Sequence, residues 1–144
     1  HIYADHELLS ALCIFHMRDD QRVFADARLE VNSKSSLAAY REIRRELNRD
    51  IDGAIIQLRQ FSDKNPALVF LNNSFFDPKL PNLLSNLAND PNWRCVYSDP
   101  FLEDNGPTRF ILGATVFLPV ELAEESSLPP VDVSHLLGVL KHLQ

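Results

Sequence analysis

The stretch SLAAYREIRRELNRDIDGAIIQLRQF, residues 36–61, is the longest regular pattern in the chain. Its apolar residues recur every three or four positions, which is the spacing of one face of an α-helix. We therefore predict one continuous helix over residues 36–61, with Ser35 or Ser36 as its N-cap. Gly53 lies inside this pattern, and we expect either a bend or a close neighbour at that position. The residues of the predicted packing face are Tyr40, Ile43, Leu47, Ile51, Ala54, Leu58 and Phe61.

Two strand-like runs precede this helix. Residues 22–31 alternate between apolar and polar side chains, which is typical of a half-exposed strand. Residues 8–17 fit either a strand or a helix capped by Asp5. Because residues 18–21 are polar and turn-like, we predict an antiparallel hairpin over residues 8–31, with the helical alternative open for its first arm.

Three strands and a second helix are predicted after the long helix. Residues 67–71 are continuously apolar, as in a strand that is covered on both faces. Residues 79–89 have helical spacing and end at Asp90-Pro91. Residues 94–97 form a short strand, and residues 109–118 alternate as a longer one. The step from strand 67–71 through a helix to strand 94–97 implies one parallel, right-handed crossover.

The C-terminal residues predict a tethered helix. Residues 123–131 are acidic and serine-rich and contain Pro129-Pro130, which is typical of a linker. An amphipathic helix follows. We therefore predict a single mixed α/β domain over residues 1–122, a linker over 123–131 and a C-terminal helix over 132–144. The predicted fold class is α/β (α+β), a mixed sheet of about five strands with a long packing helix, a second helix and a C-terminal helical arm.

Composition limits the possible partners. The 144 residues are 45% apolar, enough for one core, and their formal net charge of −6 disfavours nucleic acid and anionic membrane surfaces as ligands. No apolar run approaches the ~20 residues that span a bilayer. Cys13 and Cys95 each lie in apolar runs, which indicates reduced core cysteines and an intracellular location. The first residues contain no signal peptide, and the chain begins at His1 without an initiator Met, so we expect a processed product or, in preference, a fragment of a larger intracellular protein.

Polar residues follow two of the predicted buried strands. Ligands favour the carboxyl ends of parallel strands in open α/β sheets. Asn72 and Ser74 follow one strand, Asp99 follows the next, and Asp104 lies on the adjoining loop. Carboxylates in such a place could hold a divalent cation or act as an acid–base pair. These four residues are the candidate catalytic site, although all of them are also ordinary turn residues.

Other enzymatic motifs are missing from the sequence. The four glycines form neither a GxGxxG fingerprint nor a phosphate-binding loop. The five histidines make no HExxH pair, and two cysteines are too few for a structural zinc site with four protein ligands. We therefore predict no cofactor and no metal site.

A row of arginines on the long helix is the one basic feature. Arg41, Arg45 and Arg49 lie four residues apart and share a helical stripe that could grip phosphates. Glu42 and Glu46 are interleaved with them, so a solvated face with local ion pairs is the favoured interpretation. These three arginines are the candidate nucleic-acid site.

The apolar face of the C-terminal helix is the predicted partner-binding surface. A helix this short is not stable alone, so it must bury that face on its own sheet, on another protein or on a second copy. We therefore predict a non-catalytic protein–protein interaction module that binds another chain or forms a homodimer. The alternative is an α/β enzyme, with or without a metal ion, whose site lies at the strand ends. The residues of the predicted partner-binding face are Val133, Leu136, Leu137, Leu140 and Leu143.

Overall fold

The computed structural model describes residues 2–4, 34–60, 66–72, 79–99, 102–103, 110–111 and 113–142. Within these ranges the chain forms six strands and five helices. Its contacts divide it into two compact units, His1–Phe70 and Leu71–Gln144. The hairpin predicted over residues 8–31 lies outside the described residues.

Four strands form the main sheet. The strands are β1 (Ile2–Ala4), β2 (Ala67–Leu71), β3 (Trp93–Ser98), β4 (Leu102–Glu103), β5 (Phe110–Ile111) and β6 (Ala114–Pro119). The main sheet has the order β1-β2-β6-β3, while β4 and β5 pair in a separate two-stranded sheet. The mixed α+β class is therefore confirmed, with a main sheet of four strands where about five were predicted.

The helices of the described chain are α1 (Lys34–Leu47), α2 (Ile51–Arg59), α3 (Leu80–Asn89), α4 (Val120–Glu125) and α5 (Ser134–His142). The predicted bounds of β2 and α3 are confirmed to within one residue. Pro81 lies in the first turn of α3, where its missing N–H has no helical partner to lose.

The first unit combines a parallel strand pair with two helices that pack on each other. Strand β1 pairs with β2 from Ile2 opposite Ala67 to Ala4 opposite Val69. The ring of Tyr40 stacks on that of Tyr3 at a centroid distance of 5.5 Å, and the Tyr40 hydroxyl donates to the Ala4 carbonyl at 2.9 Å. Strand β1 was not predicted from the sequence, because it has three residues and depends on β2 for its hydrogen bonds.

The prediction of one continuous helix over residues 36–61 is wrong, because the helix is interrupted between Leu47 and Ile51. Asp50 is extended, with φ −150° and ψ 98°, and its carbonyl accepts the first backbone bond of α2. The Asn48 side chain donates to the Arg44 carbonyl at 3.2 Å. Asn and Asp favour such interruptions since their side chains compete for nearby backbone groups.

The apolar face nevertheless continues across the interruption. Ile43 and Leu47 in α1 and Ala54 and Leu58 in α2 are all buried, whereas Ile51 is half-buried at the start of α2. The close neighbour expected near Gly53 is the Asp50 carboxylate. A Cβ on Gly53 would lie 2.7 Å from Asp50 Oδ2, so glycine leaves room for the carboxylate to fold over the first turn.

The second unit is built around the antiparallel pair of β3 and β6. Their register runs from Trp93 opposite Pro119 to Ser98 opposite Thr115, with a bulge between Cys95 and Tyr97. Helix α3 packs on β3 and on α5, and α4 packs on both β3 and β6. Their buried apolar side chains include Leu80, Leu83, Leu84, Leu87, Trp93, Phe117, Ala123, Val133, Leu136 and Leu140.

The single strand predicted over residues 109–118 is divided into β5 and β6. Before the division the chain pairs with β4, and after it the chain pairs with β3. Gly113 lies at the division and its carbonyl accepts the Asn72 amide at 2.8 Å. Glycine commonly marks a point where a strand bends or another backbone approaches closely.

The predicted linker over residues 123–131 is helical in its first residues, because α4 extends to Glu125. Ala, Leu and Glu are good helix formers, and they dominate this segment. The helix ends with Ser127 at φ 54°, and the Leu128 amide donates to the Ala123 carbonyl at 3.0 Å. With the Ser127 amide donating to Glu124, these bonds form a Schellman motif.

Candidate functional site: the polar cluster at the strand ends

Four polar residues of the second unit meet at one end of the β3–β6 pair. Asn72 follows β2, Ser98 ends β3, Asp99 follows it, and Thr115 lies in β6 opposite Ser98. Asn72 and Thr115 are the two buried polar residues of the described chain, each with 0% of its surface exposed. We call these four residues the polar cluster.

The polar cluster is held by a chain of hydrogen bonds. The Thr115 hydroxyl donates to Asn72 Oδ1 at 2.7 Å, and Asn72 Nδ2 donates to the Asp99 carbonyl at 3.3 Å. Ser98 Oγ lies 3.2 Å from Thr115 Oγ1. A hydroxyl has one proton to donate. Since Thr115 gives its proton to Asn72, the Ser98 hydroxyl donates to Thr115.

Backbone bonds hold the same four residues in place. The Asn72 amide donates to the Gly113 carbonyl at 2.8 Å, and the Asp99 amide donates to the Ala114 carbonyl at 3.0 Å. Asn72 therefore has both ends of its side chain and its amide engaged. Within the second unit the cluster joins Asn72 to β6 and to the residue after β3, so its role in the fold is structural.

The backbone amide of Asp99 bonds to Ala114, whereas its carboxylate bonds to Tyr97. Tyr97 Oη donates to Asp99 Oδ2 at 3.2 Å, on the exposed side of β3. Partial burial and the negative charge of Asp99 raise the pKa of Tyr97 above its usual value. The phenol is thus a stable hydrogen-bond donor at neutral pH.

Two of the four predicted catalytic residues are brought together. Asn72 contacts Asp99, but through the Asp99 carbonyl and not through its carboxylate. Ser74 and Asp104 lie outside the described residues. Thr115 was not identified from the sequence, because its apolar neighbours Ala114 and Val116 point to the opposite face of a strand and so favour an exposed threonine.

The thiol of Cys95 has low reactivity in this environment. The side chain is buried, and its thiol donates weakly to the Tyr97 carbonyl at 3.4 Å. Burial raises the pKa of the Cys95 thiol to about 11, so it stays protonated at neutral pH. A protonated thiol is a poor nucleophile and a poor metal ligand. In the described part of the chain, no group of three His, Cys, Asp or Glu side chains could hold a metal ion.

The residues of the arginine stripe are exposed, and Arg45 and Arg49 pair with glutamates of α1. Arg49 forms an ion pair with Glu46 at 3.1 Å, and Arg45 pairs with Glu42 and lies 3.9 Å from Glu46. Arg41 is also exposed. These pairs reduce the positive charge that the stripe could offer to phosphates, which agrees with a solvated helix face.

The predicted partner-binding face is largely covered. Helix α5 packs on α3, and Val133, Leu136 and Leu140 are buried. Leu137 is half-buried, and Leu143 lies outside the described residues. In this conformation the three buried side chains are not available to a partner.

Asp132 fixes the start of α5. Its Oδ1 atom accepts the Ser134 amide at 2.8 Å, which satisfies one of the N–H groups that a helix start leaves without a partner. The hydrogen bonds with Ser134 lower the pKa of Asp132 below its usual value. The cap is therefore fully ionised at neutral pH.

Comparison with known protein families, curated proteins and solved structures finds no match to this chain. Within the described ranges, no helix has both the length and the apolar character needed to cross a membrane. The geometry of the two units is therefore the basis for inferring a function.

Proposed function

We propose that this chain is a non-catalytic protein-interaction module whose contacts are made by exposed apolar side chains of its second unit. The observation that carries the proposal is the exposure of Tyr97, Leu122 and Leu128, at 49%, 40% and 39%. Tyrosine is enriched in protein interfaces, because it combines a large apolar ring with a polar tip.

The state of the polar cluster supports the same proposal. A catalytic group needs a proton or lone pair that a substrate can reach. Both polar atoms of the Asn72 side chain are already hydrogen-bonded, one to Thr115 and the other to Asp99. The buried, protonated Cys95 adds no nucleophile. A free buried thiol is also compatible with the intracellular location that we propose.

The alternative is an α/β enzyme, with or without a metal ion, that uses Asn72, Ser74, Asp99 and Asp104. The approach of Asn72 to Asp99 is the observation in its favour. Millimolar Mg²⁺, Mn²⁺ or Ca²⁺ should then raise the melting temperature by mass action, and Asp99→Asn should abolish the rise. Under the interaction proposal we expect no rise.

Site-specific photo-crosslinking tests the interaction proposal. A photoreactive residue is placed at Leu122 or Leu128 in the full chain and, as matched controls, at the exposed polar positions Glu121 and Asn86. The chain is irradiated in the cells that produce it. We expect protein adducts from the two leucine positions that excess unmodified chain prevents. Equal adducts from all four positions, or adducts that the unmodified chain does not compete, would contradict the proposal.

A further inference from the structure

On the side of β3 away from β6, the outward backbone groups that matter for pairing are those of Cys95 and Ser98. Among the described strands, β6 is the one that pairs with β3. The Asp99 amide bonds to β6, so the backbone groups of its neighbour Ser98 point away from β6. The Cys95 carbonyl also points outward, because it accepts the Val131 amide at 2.9 Å. The bulge between Cys95 and Tyr97 sets these outward positions three residues apart.

A short segment, residues 128–133, crosses this edge, and we call it the strap. It is held at one end by the bond from the Leu128 amide to Ala123 and at the other by α5. Pro129 and Pro130 have no N–H, so they cannot donate to an edge strand. Val131 supplies the bond from the strap to Cys95. Edge strands are commonly protected in this way against pairing with other chains.

The sequence of β3 is complementary to itself in the antiparallel direction. When Cys95 lies opposite Ser98 of a second copy, Arg94 lies opposite Asp99 and Val96 opposite Tyr97. The two outward-pointing residues then form a hydrogen-bonded pair. Two-fold symmetry makes every one of these pairs occur twice.

The side chains that this register brings together suit one another. Asp99 is exposed, and the side chain of Arg94 is 26% exposed and held by Glu124 at 3.2 Å in a surface ion pair. Exposed ion pairs contribute little, so Arg94 can exchange Glu124 for Asp99 of the copy at small cost. The exposed ring of Tyr97 would cover Val96, which is half-buried.

We propose that β3 is a self-association edge that pairs antiparallel with β3 of a second copy, and that the strap closes this edge until Val131 is released from Cys95. This inference rests on the proposed interaction function and names a second copy as the partner. Because α5 anchors the strap, loosening α5 should open the edge.

Charge exchange tests the register. Sedimentation equilibrium of the full chain should show a monomer–dimer equilibrium. Either Arg94→Asp or Asp99→Arg alone places like charges opposite each other twice, so we expect the dimerisation constant to fall about tenfold or more. The double exchange restores both pairs, and we expect recovery to within about threefold of the parent. Glu121→Arg, on the exposed side of α4, is the matched control and should leave dimerisation unchanged.

The double exchange also removes an ambiguity. Arg94→Asp creates a repulsion with Glu124 within the same chain, but the double variant carries that repulsion too. Recovery in the double variant therefore identifies Asp99 of the second copy as the partner. Failure to recover, or equal dimerisation in all variants, would overturn the proposed register.

Asp132→Ala tests the strap without disturbing the core, since Asp132 is exposed. Loss of its bond to Ser134 weakens the start of α5. We expect the Val131 amide to exchange with solvent several-fold faster, the dimer fraction to rise, and the Ser98 amide to become protected as concentration increases. A chain that stays monomeric to about 1 mM, both as parent and as Asp132→Ala, would overturn the proposal.

The two proposals fail separately. Competed adducts between Leu128 and a different protein, with no self-association, would overturn β3 pairing while leaving the interaction module standing. Loss of all competed adducts would remove the interaction module. Cross-links that join the β3 edge to another protein's strand in place of a second copy would also overturn the proposal.

Discussion

The helices of the first unit and the strand ends of the second bury their residues on different principles. In α1 and α2 the buried side chains are apolar, whereas the arginines of the stripe are exposed, and Arg45 and Arg49 each pair with a glutamate three positions earlier. At the strand ends, Asn72 and Thr115 are buried although both are polar. Each of them is satisfied by the other and by a further partner.

The two regions therefore differ in how strictly their structure depends on the identity of each buried residue. Apolar burial is non-directional, so any side chain of suitable volume preserves it in part. A buried hydrogen bond is directional, and removing one partner leaves the other without water or a replacement. The α1–α2 pair is therefore set by a pattern, whereas the polar cluster is set by particular residues.

The largest expected effect on the free energy of unfolding comes from truncating a buried apolar side chain of the α1–α2 pair. Leu47 is 1% exposed in α1, so Leu47→Ala should lower the free energy of unfolding by about 2–5 kcal/mol. Arg45→Ala, two positions earlier on the exposed face, should cost less than about 0.5 kcal/mol. Urea denaturation of both variants measures the difference, and similar losses would refute the assigned helix face.

The second expected effect on the free energy of unfolding comes from removing a hydrogen-bonding side chain of the polar cluster. Asn72→Ala removes the acceptor of the Thr115 proton and the donor to the Asp99 carbonyl, and should cost about 1–3 kcal/mol. Asn82→Ala on the exposed side of α3 is the control and should cost less than about 0.5 kcal/mol. A double-mutant cycle with Thr115→Val should give a coupling of about 0.5–3 kcal/mol. Additive losses would mean that the 2.7 Å bond contributes nothing specific.

The third effect concerns backbone strain instead of side-chain contacts. Ser127 ends the α4 turn at φ 54°, a conformation that costs an L-residue energy and that glycine adopts freely. Ser127→Gly should therefore raise the free energy of unfolding by up to about 1 kcal/mol. Ser126→Gly is the control: Ser126 has φ −84°, so glycine there brings no relief and should destabilise slightly. Stabilisation by both changes would point to a cause other than φ.

The smallest expected effect concerns an exposed hydrogen bond, from the Ser134 amide to Asp132, in comparison with the buried bond between Thr115 and Asn72. The hydrogen bonds with Ser134 place the folded-state pKa of Asp132 below its ordinary value of 3.8. A lowered carboxyl pKa contributes stability above the unfolded value and loses it as pH falls through the folded value. We expect the Ser134 amide shift to titrate with a midpoint below 3.8, and Asp132→Asn to remove that titration. A midpoint at or above 3.8 would contradict the cap.

Much of the local structure was predictable because it depends on near neighbours. The apolar run 67–71 and the helical spacing of residues 79–89 give β2 and α3 almost to the residue. The apolar face of the long helical stretch was also correct for its central residues. The break between Leu47 and Ile51 was not predicted, because the apolar spacing continues across it and only the Asn and Asp residues mark it.

The candidate site was predictable only in part. The turn residues Asn72 and Asp99 were identified from their place after apolar runs, and the structure brings them together. Their real connection needs Thr115, which is 43 positions from Asn72 in the chain. Threonine occurs on both the buried and the exposed faces of strands, so the local sequence pattern cannot identify its hydrogen-bond partner.

The sequence by itself determined the mixed α+β class, most of the helix and strand segments described here, the acidic net charge and the amphipathic nature of α5. These properties follow from composition and from spacing within a few turns of chain. Only the tertiary structure decided that β3 pairs with β6, that α5 covers its apolar face on α3, and that Val131 bonds to the edge of β3. Those contacts join residues distant in sequence, and their partners are selected by the packing of whole elements, which no local spacing encodes.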